Sequence, residues 1–134
     1  MKPNYLIGID PGVKTGYAWS SNGVLQDVTS GVAVEIEQKV FLFSPGDVLV
    51  FIEDARKRKW FGKSGPERWK GAGSIMRDCK RWEEFCEHHD IPYRLIPPRC
   101  NTTKTDQDSF AKITKWEKRT NEHGRDAAML IYGR

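Results

Sequence analysis

The sequence predicts an α/β protein built on a mixed five-stranded sheet, three antiparallel strands followed by parallel ones, with helices on its faces. Two runs of strand-forming residues, Tyr5-Leu-Ile-Gly-Ile9 and Val48-Leu-Val-Phe-Ile52, are apolar at odd and even positions alike, as in strands buried on both faces. Asn22-Gly23, between two short strand-like segments, is a strong two-residue hairpin signal. From Ala33 onward helical and strand patterns alternate, which favours parallel pairing through crossovers.

In chain order, the first strand stops at Asp10 because Pro11 donates no amide and Gly12 accepts a tight turn. Gly8 within it leaves room for another backbone or side chain to approach. Gly16 to Ser20 and Val24 to Val28 are the expected hairpin strands. Ala33 to Phe43 fits a short helix through Ile36, Val40 and Phe43, although Val32, Val34 and Ile36 also alternate. Ser44-Pro-Gly-Asp47 breaks the chain before the strand Val48 to Glu53. Arg56 to Gly73 has no sustained periodicity and reads as a mobile loop. Ser74 is placed to cap a helix ending near His89, with Ile75, Cys79, Trp82 and Cys86 as its buried stripe. Tyr93 to Ile96 is a short strand closed by Pro97-Pro98. Thr105 and Asp108 have capping-box spacing for a helix reaching about Lys118, with Phe110, Ile113 and Trp116 inward. His123 to Tyr132 is the last helix. No repeat, linker or low-complexity segment divides residues 1–134, so one domain is expected.

A hydrophobic fraction of 38% with 30% charged residues fits a globular protein with a sizeable core. The longest apolar run, Val48 to Ile52, is far too short to cross a bilayer. The N-terminus lacks the pattern of a signal peptide, and Cys79, Cys86 and Cys100 show no paired short spacing. The expected compartment is therefore the reducing cytoplasm. The basicity is local. Of the formal +4, the segment Arg56 to Lys70 carries +6, with seven Lys and Arg against Glu67, leaving the remainder at −2. A concentrated basic patch is the footprint of a nucleic-acid partner.

Two acids close the two buried runs, Asp10 and Glu53, and in this topology their strands lie side by side and parallel. Asp10 fits either a turn-capping role or metal coordination. Two carboxylates brought together repel unless a divalent cation screens both. On the last helix His123 and Asp126 are spaced i and i+3 and so share a face, and the small Ala127 and Ala128 let the helix lie close to the sheet. Taken singly, Asp126 reads as a helix N-terminal charge and His123 as a solvent-facing residue. Taken with Asp10 and Glu53, they read as a ligand set dominated by oxygen, suited to Mg²⁺ or Mn²⁺ rather than zinc.

The sequence Ile-Gly-Ile-Asp10-Pro-Gly-x-x-x-Gly16, then Phe-Ile-Glu53, then His123-x-x-Asp126-Ala-Ala, resembles the RuvC family of Holliday-junction resolvases, in matching order from Leu6 to Tyr132. The resemblance implies an RNase H-like fold, a homodimer and metal-dependent paired nicking of four-way DNA junctions. It implies catalytic and metal-binding roles for Asp10, Glu53, His123 and Asp126. Two Mg²⁺ ions per site are implied, with Mn²⁺ as a substitute, one held by Asp10 and Asp126 or His123 and the other by Asp10 and Glu53. Family members carry Asp or His at the position of His123. The chain departs from the pattern in two places. Gln107 stands where the family has a basic residue, with Lys104 only a neighbour, and Arg56 stands where an aromatic is expected. The chain is also shorter than typical cellular members, as a phage or mobile-element version would be.

The expected DNA contacts are Lys14, Arg56, Lys57, Arg58, Lys59, Lys63, Arg68, Lys70 and Lys104 to phosphates, with Trp60 and Phe61 stacking on exposed bases. The bland reading of the basic segment is a solvated linker. The competing functions are an RNase H-type ribonuclease or RNA-processing nuclease with the same site, and a non-catalytic nucleic-acid-binding module. A nucleotide phosphotransferase with a similar opening turn would need a second domain, for which 134 residues leave no room.

Overall fold

The computed structural model of the chain describes residues 2–57, 66–98 and 105–134, with the backbone alone described over 66–72. Strands β1 (Tyr5–Asp10), β2 (Thr15–Ser21) and β3 (Val24–Gly31) form the antiparallel meander. Asn22 and Gly23 both have positive φ, 52° and 80°, the pairing that turns a two-residue hairpin with the native strand twist. Helix α1 (Ala33–Val40) and a short 3₁₀ turn at Pro45–Asp47 lead to β4 (Val48–Glu53), which pairs parallel with β1. Helix α2 (Pro66–His88) leads to β5 (Tyr93–Ile96), parallel to β4, and α3 (Gln107–Thr114) and α4 (Glu122–Ile131) follow. The strand order is β3-β2-β1-β4-β5, so the strand with apolar residues at every phase, β1, is central.

Alternation along the central strands sorts the core into two layers. Ile7, Ile9, Val50 and Ile52 face α1 and α2, where Ile36, Val40, Trp82, Phe85 and Cys86 meet them. Leu6, Ala18, Leu49 and Phe51 face Phe110 of α3 and Ala127, Ala128, Leu130 and Ile131 of α4. Successive strand side chains point to opposite faces. Asp10 and Glu53, in phase with Gly8 and Phe51, therefore emerge on the α4 side.

Several element boundaries differ from the sequence reading: β3 runs on to Gly31 rather than Val28, α1 ends at Val40 rather than Phe43, and α2 and α3 differ most. Helix α2 begins at Pro66, eight residues before Ser74, which is an interior residue rather than a cap. Proline is compatible with a first helical turn, and a 23-residue helix tolerates the glycines that read as breakers. The expected loop from Arg56 to Gly73 is thus helical from Pro66 on, 3₁₀ at Ala55–Lys57, and otherwise outside the described residues. The cap of α3 is Asp106 rather than Thr105: its side chain accepts from the Ser109 amide at 2.7 Å. That helix stops at Thr114 rather than near Lys118, because Lys115 turns left-handed with φ 65°, and Ile113 is 44% exposed rather than inward. In the stripe of α2, Cys79, Trp82 and Cys86 are buried as expected, and Ile75 is half-buried. Cys100 and the proposed contacts in residues 58–65 and 99–104 lie outside the described residues. Among the described residues, no helix is long and apolar enough to cross a membrane.

Candidate active site

The parallel register of β1 and β4 runs from Tyr5↔Val48 to Ile9↔Ile52, and one step further it sets Asp10 beside Glu53. Neighbouring strands lie about 4.8 Å apart. The two carboxylates therefore leave the same sheet edge as neighbours, both at the carboxyl ends of parallel strands, where open α/β sheets bind ligands.

Helix α4 brings the other two groups. Opposite Asp10 in the antiparallel register stands Gly16, and a Cβ there would collide with the carbonyl of His123. At Gly8 a Cβ would collide with the carbonyl of Ala127, and Gly124 in turn packs on the Thr29 backbone. Helix and sheet touch main chain to main chain, which only glycine permits at these positions. Asn121 caps α4 by accepting from the Gly124 amide at 2.8 Å, and its amide donates to Ser30 Oγ of β3 at 2.9 Å. The first turn of the helix is thereby fixed over the end of β1. His123 Nδ1 lies 3.8 Å from Asp10 Oδ2, and His123 Nε2 lies 3.7 Å from Glu122 Oε1.

The result is a cleft of about 410 Å³ lined by Asp10, Pro11, Gly12, Val13, Lys14, Glu53, His123 and Asp126. All four predicted catalytic side chains line it, together with one predicted DNA contact, Lys14. The donor chemistry, three carboxylates and one imidazole, fits a hard divalent cation. Among the described residues, however, no group of three or more His, Cys, Asp or Glu side chains is gathered closely enough to hold a metal ion as it stands.

No family model and no curated protein matches the chain. Among solved structures, T. thermophilus RuvC in complex with a Holliday junction substrate matches with a TM-score of 0.61, covering 96% of this chain and 90% of that one, at 13% identity. The fold is RNase H-like.

Within that fold, several supporting residues escaped the sequence reading. The hydroxyl of Thr15, wholly buried, donates to the Gly12 carbonyl at 3.0 Å and holds the turn behind Asp10. Gln107 is structural: its side-chain oxygen accepts from the Thr120 amide at 2.8 Å and its amide donates to the Lys118 carbonyl at 3.2 Å. Arg125 donates from Nε to the Thr105 carbonyl at 2.8 Å and from Nη1 to the Thr120 carbonyl at 3.0 Å, tying the α3–α4 segment to the site helix. Neither role has a local sequence signal, since the partners are 5 to 20 residues away.

The predicted DNA contacts divide by location. Lys14 is at the cleft and Lys57 is exposed at the end of the 3₁₀ turn. Arg68 and Lys70 lie on the first turns of α2. Arg58, Lys59, Trp60, Phe61, Lys63 and Lys104 lie outside the described residues. Arg56 is engaged by two carboxylates: it donates to Asp54 from Nε at 2.7 Å and to Glu83 from Nη2 at 2.8 Å. These hydrogen bonds, Asp54 first, raise its already high pKa.

Proposed function

We propose that this chain is a metal-dependent endonuclease that cuts branched DNA, four-way junctions in particular, by paired nicks. One observation carries the reading: Asp10, Glu53, His123 and Asp126, far apart in sequence, line a single cleft at the carboxyl edge of an RNase H-like sheet. Supporting it are the concentrated basic segment that begins at the end of β4 and the fold shared with a resolvase captured on a junction.

Asp10 lies between Glu53 on the adjacent strand and the α4 residues on the other side, so it would be the shared ligand. Glu53 would complete one set of donors, and Asp126 with His123 the other. Mg²⁺, with Mn²⁺ as a substitute and two ions per site, would supply Lewis-acid polarisation of the scissile phosphate and an acidified water. Lys14, on the rim, would neutralise a phosphate next to the one cut. The remaining basic residues, apart from Arg56, which Asp54 and Glu83 engage, would follow the backbone of the DNA arms. Paired nicks on a symmetric junction call for two active sites, hence a homodimer.

The test offers purified protein a labelled four-way junction, a flap, a duplex and an RNA–DNA hybrid, with and without Mg²⁺. Mg²⁺-dependent cutting of the junction in preference to the others is expected. Preference for the hybrid would establish the ribonuclease reading instead. Asp10→Asn, Glu53→Gln and Asp126→Asn should each lower cleavage on the order of a thousandfold, the equivalent of losing several kcal/mol of charge stabilisation, while junction binding persists. Full activity in any of the three would reject the assignment.

A further inference from the structure

The end of β4 is restrained more heavily than a strand end requires. Glu53 and Asp54 are consecutive acids, and strand alternation sends them to opposite faces. Glu53 enters the cleft, whereas Asp54, only 3% exposed, turns toward α2. There Arg56 returns on it: the Arg56 amide and Nε both donate to Asp54 Oδ1, at 3.1 and 2.7 Å, and Nη2 donates to Oδ2 at 3.1 Å. The same Nη2 donates to Glu83 Oε2 of α2 at 2.8 Å. The Asp54 amide donates to the Ile96 carbonyl of β5 at 2.8 Å, and Cys79 Sγ of α2 lies 3.6 Å from the Glu53 carbonyl as a donor.

We infer that Arg56, clamped between Asp54 and Glu83, is a positioning residue that holds Glu53 in the cleft and couples α2 to the site. This rests on the metal-dependent reading given above. A buried carboxylate is costly unless its partners are complete. The fork of Arg56 satisfies both oxygens of Asp54 from one side chain, and Glu83 supplies the second acceptor that fixes the fork on the helix. Rotation of the chain at residue 54 would break the bonds of Asp54 to Arg56 and to Ile96, so the backbone from which Glu53 enters the cleft is held in place. The arrangement does for a metal-binding carboxylate what outer partners do for coordinating side chains in general, where their loss costs roughly 10- to 100-fold in metal affinity or activity.

The experiment measures Mn²⁺ binding by electron paramagnetic resonance, together with kcat and KM on the junction, for the wild type and two variants. Glu83→Gln leaves the Arg56–Asp54 pair in place. The double variant Asp54→Asn/Arg56→Gln removes both charges at once, so that neither is left buried alone. With thermal unfolding near that of the wild type, roughly tenfold weaker Mn²⁺ binding and a lower kcat at unchanged junction KM are expected; Glu83→Asp should recover part of the loss. Should the double variant fail to fold, Glu83→Gln decides. Wild-type Mn²⁺ affinity and kcat in a folded variant would overturn the clamp and leave the nuclease reading intact. A wild type that binds Mn²⁺ but cuts no substrate would sink the nuclease reading while the binding comparison still tests the clamp. A wild type that binds no Mn²⁺ would overturn both.

Discussion

At Gly16 the sheet meets the last helix with no side chain between them, and the position of His123 beside Asp10 follows from that contact. The obstacle to a methyl group there is a backbone carbonyl, which cannot rotate away as a side chain would. Gly16→Ala should therefore destabilise the fold by about 1–3 kcal/mol, the range for overpacking a tight core, and move α4 off the cleft. The urea midpoint should fall, and the proposed nuclease activity should fall further than stability alone explains. Gly46→Ala, which faces open space, should change neither. Parallel midpoints for the two variants would refute the packing argument. At this scale the sequence is readable where a residue's neighbours in the chain define its setting, as for Asp10 and Glu53 at the ends of apolar runs. It read Arg56 as a DNA contact and is silent about its bond to Glu83, which lies 27 positions away on a helix face whose orientation only the tertiary structure supplies.

The elements themselves are set by their ends. Helix α4 has ten residues, too few for an isolated helix to be stable, so its packing and its cap determine whether the first turn stays formed. Asn121 both caps it and ties it to Ser30. Asn121→Ala should cost about 0.5–2 kcal/mol in urea unfolding and lower the proposed cleavage as His123 and Asp126 lose their fixed turn. Asn121→Asp keeps a cap acceptor and adds charge at the positive helix end, so it should restore most of the stability. Equal stability of the Ala variant and the wild type would remove the cap from the account. The strands were legible because their apolar runs are bounded by Pro, Gly and Asn, and β4 and β5 fall where the pattern puts them. The starts of α2 and α3 were not, whereas α1 begins at Ala33 as read. Pro66, Gly71 and Gly73 have poor local propensity, and a long helix packed on a sheet overrides it. In α3, Asp106 and Thr105 are both capable caps, and only the bond to Ser109 distinguishes them.

For the whole molecule, topology was the most legible feature, since an antiparallel hairpin followed by helix–strand alternation leaves few ways to arrange five strands. A chain sharing 13% of its residues with this one reaches the same arrangement over 96% of the length, so the pattern rather than the particular side chains carries the fold. The side chains enter through the core, and the α1–α2 layer makes a pH prediction. Cys86, without solvent exposure, has its thiol pushed up from 9.0 to about 12 by burial and then by Glu87. Burial also raises Cys79, and it raises the phenol of Tyr17 with a further contribution from Asp27. Each group holds its proton more tightly when folded, so the unfolded chain loses protons first as the solution becomes alkaline, and unfolding is favoured. For Cys86 the contribution is complete below pH 9 and is lost as pH rises from 9 toward 12, by up to about 1.4 kcal/mol per pH unit. Urea unfolding should therefore give a level stability from pH 7 to 8.5 and a steep decline above it. Cys86→Ala should be less stable at neutrality, having lost a buried sulfur, yet decline less steeply, so that the two curves converge with rising pH. Curves that stay parallel to pH 11 would show that the Cys86 thiol remains as easily ionised in the core as in the unfolded chain.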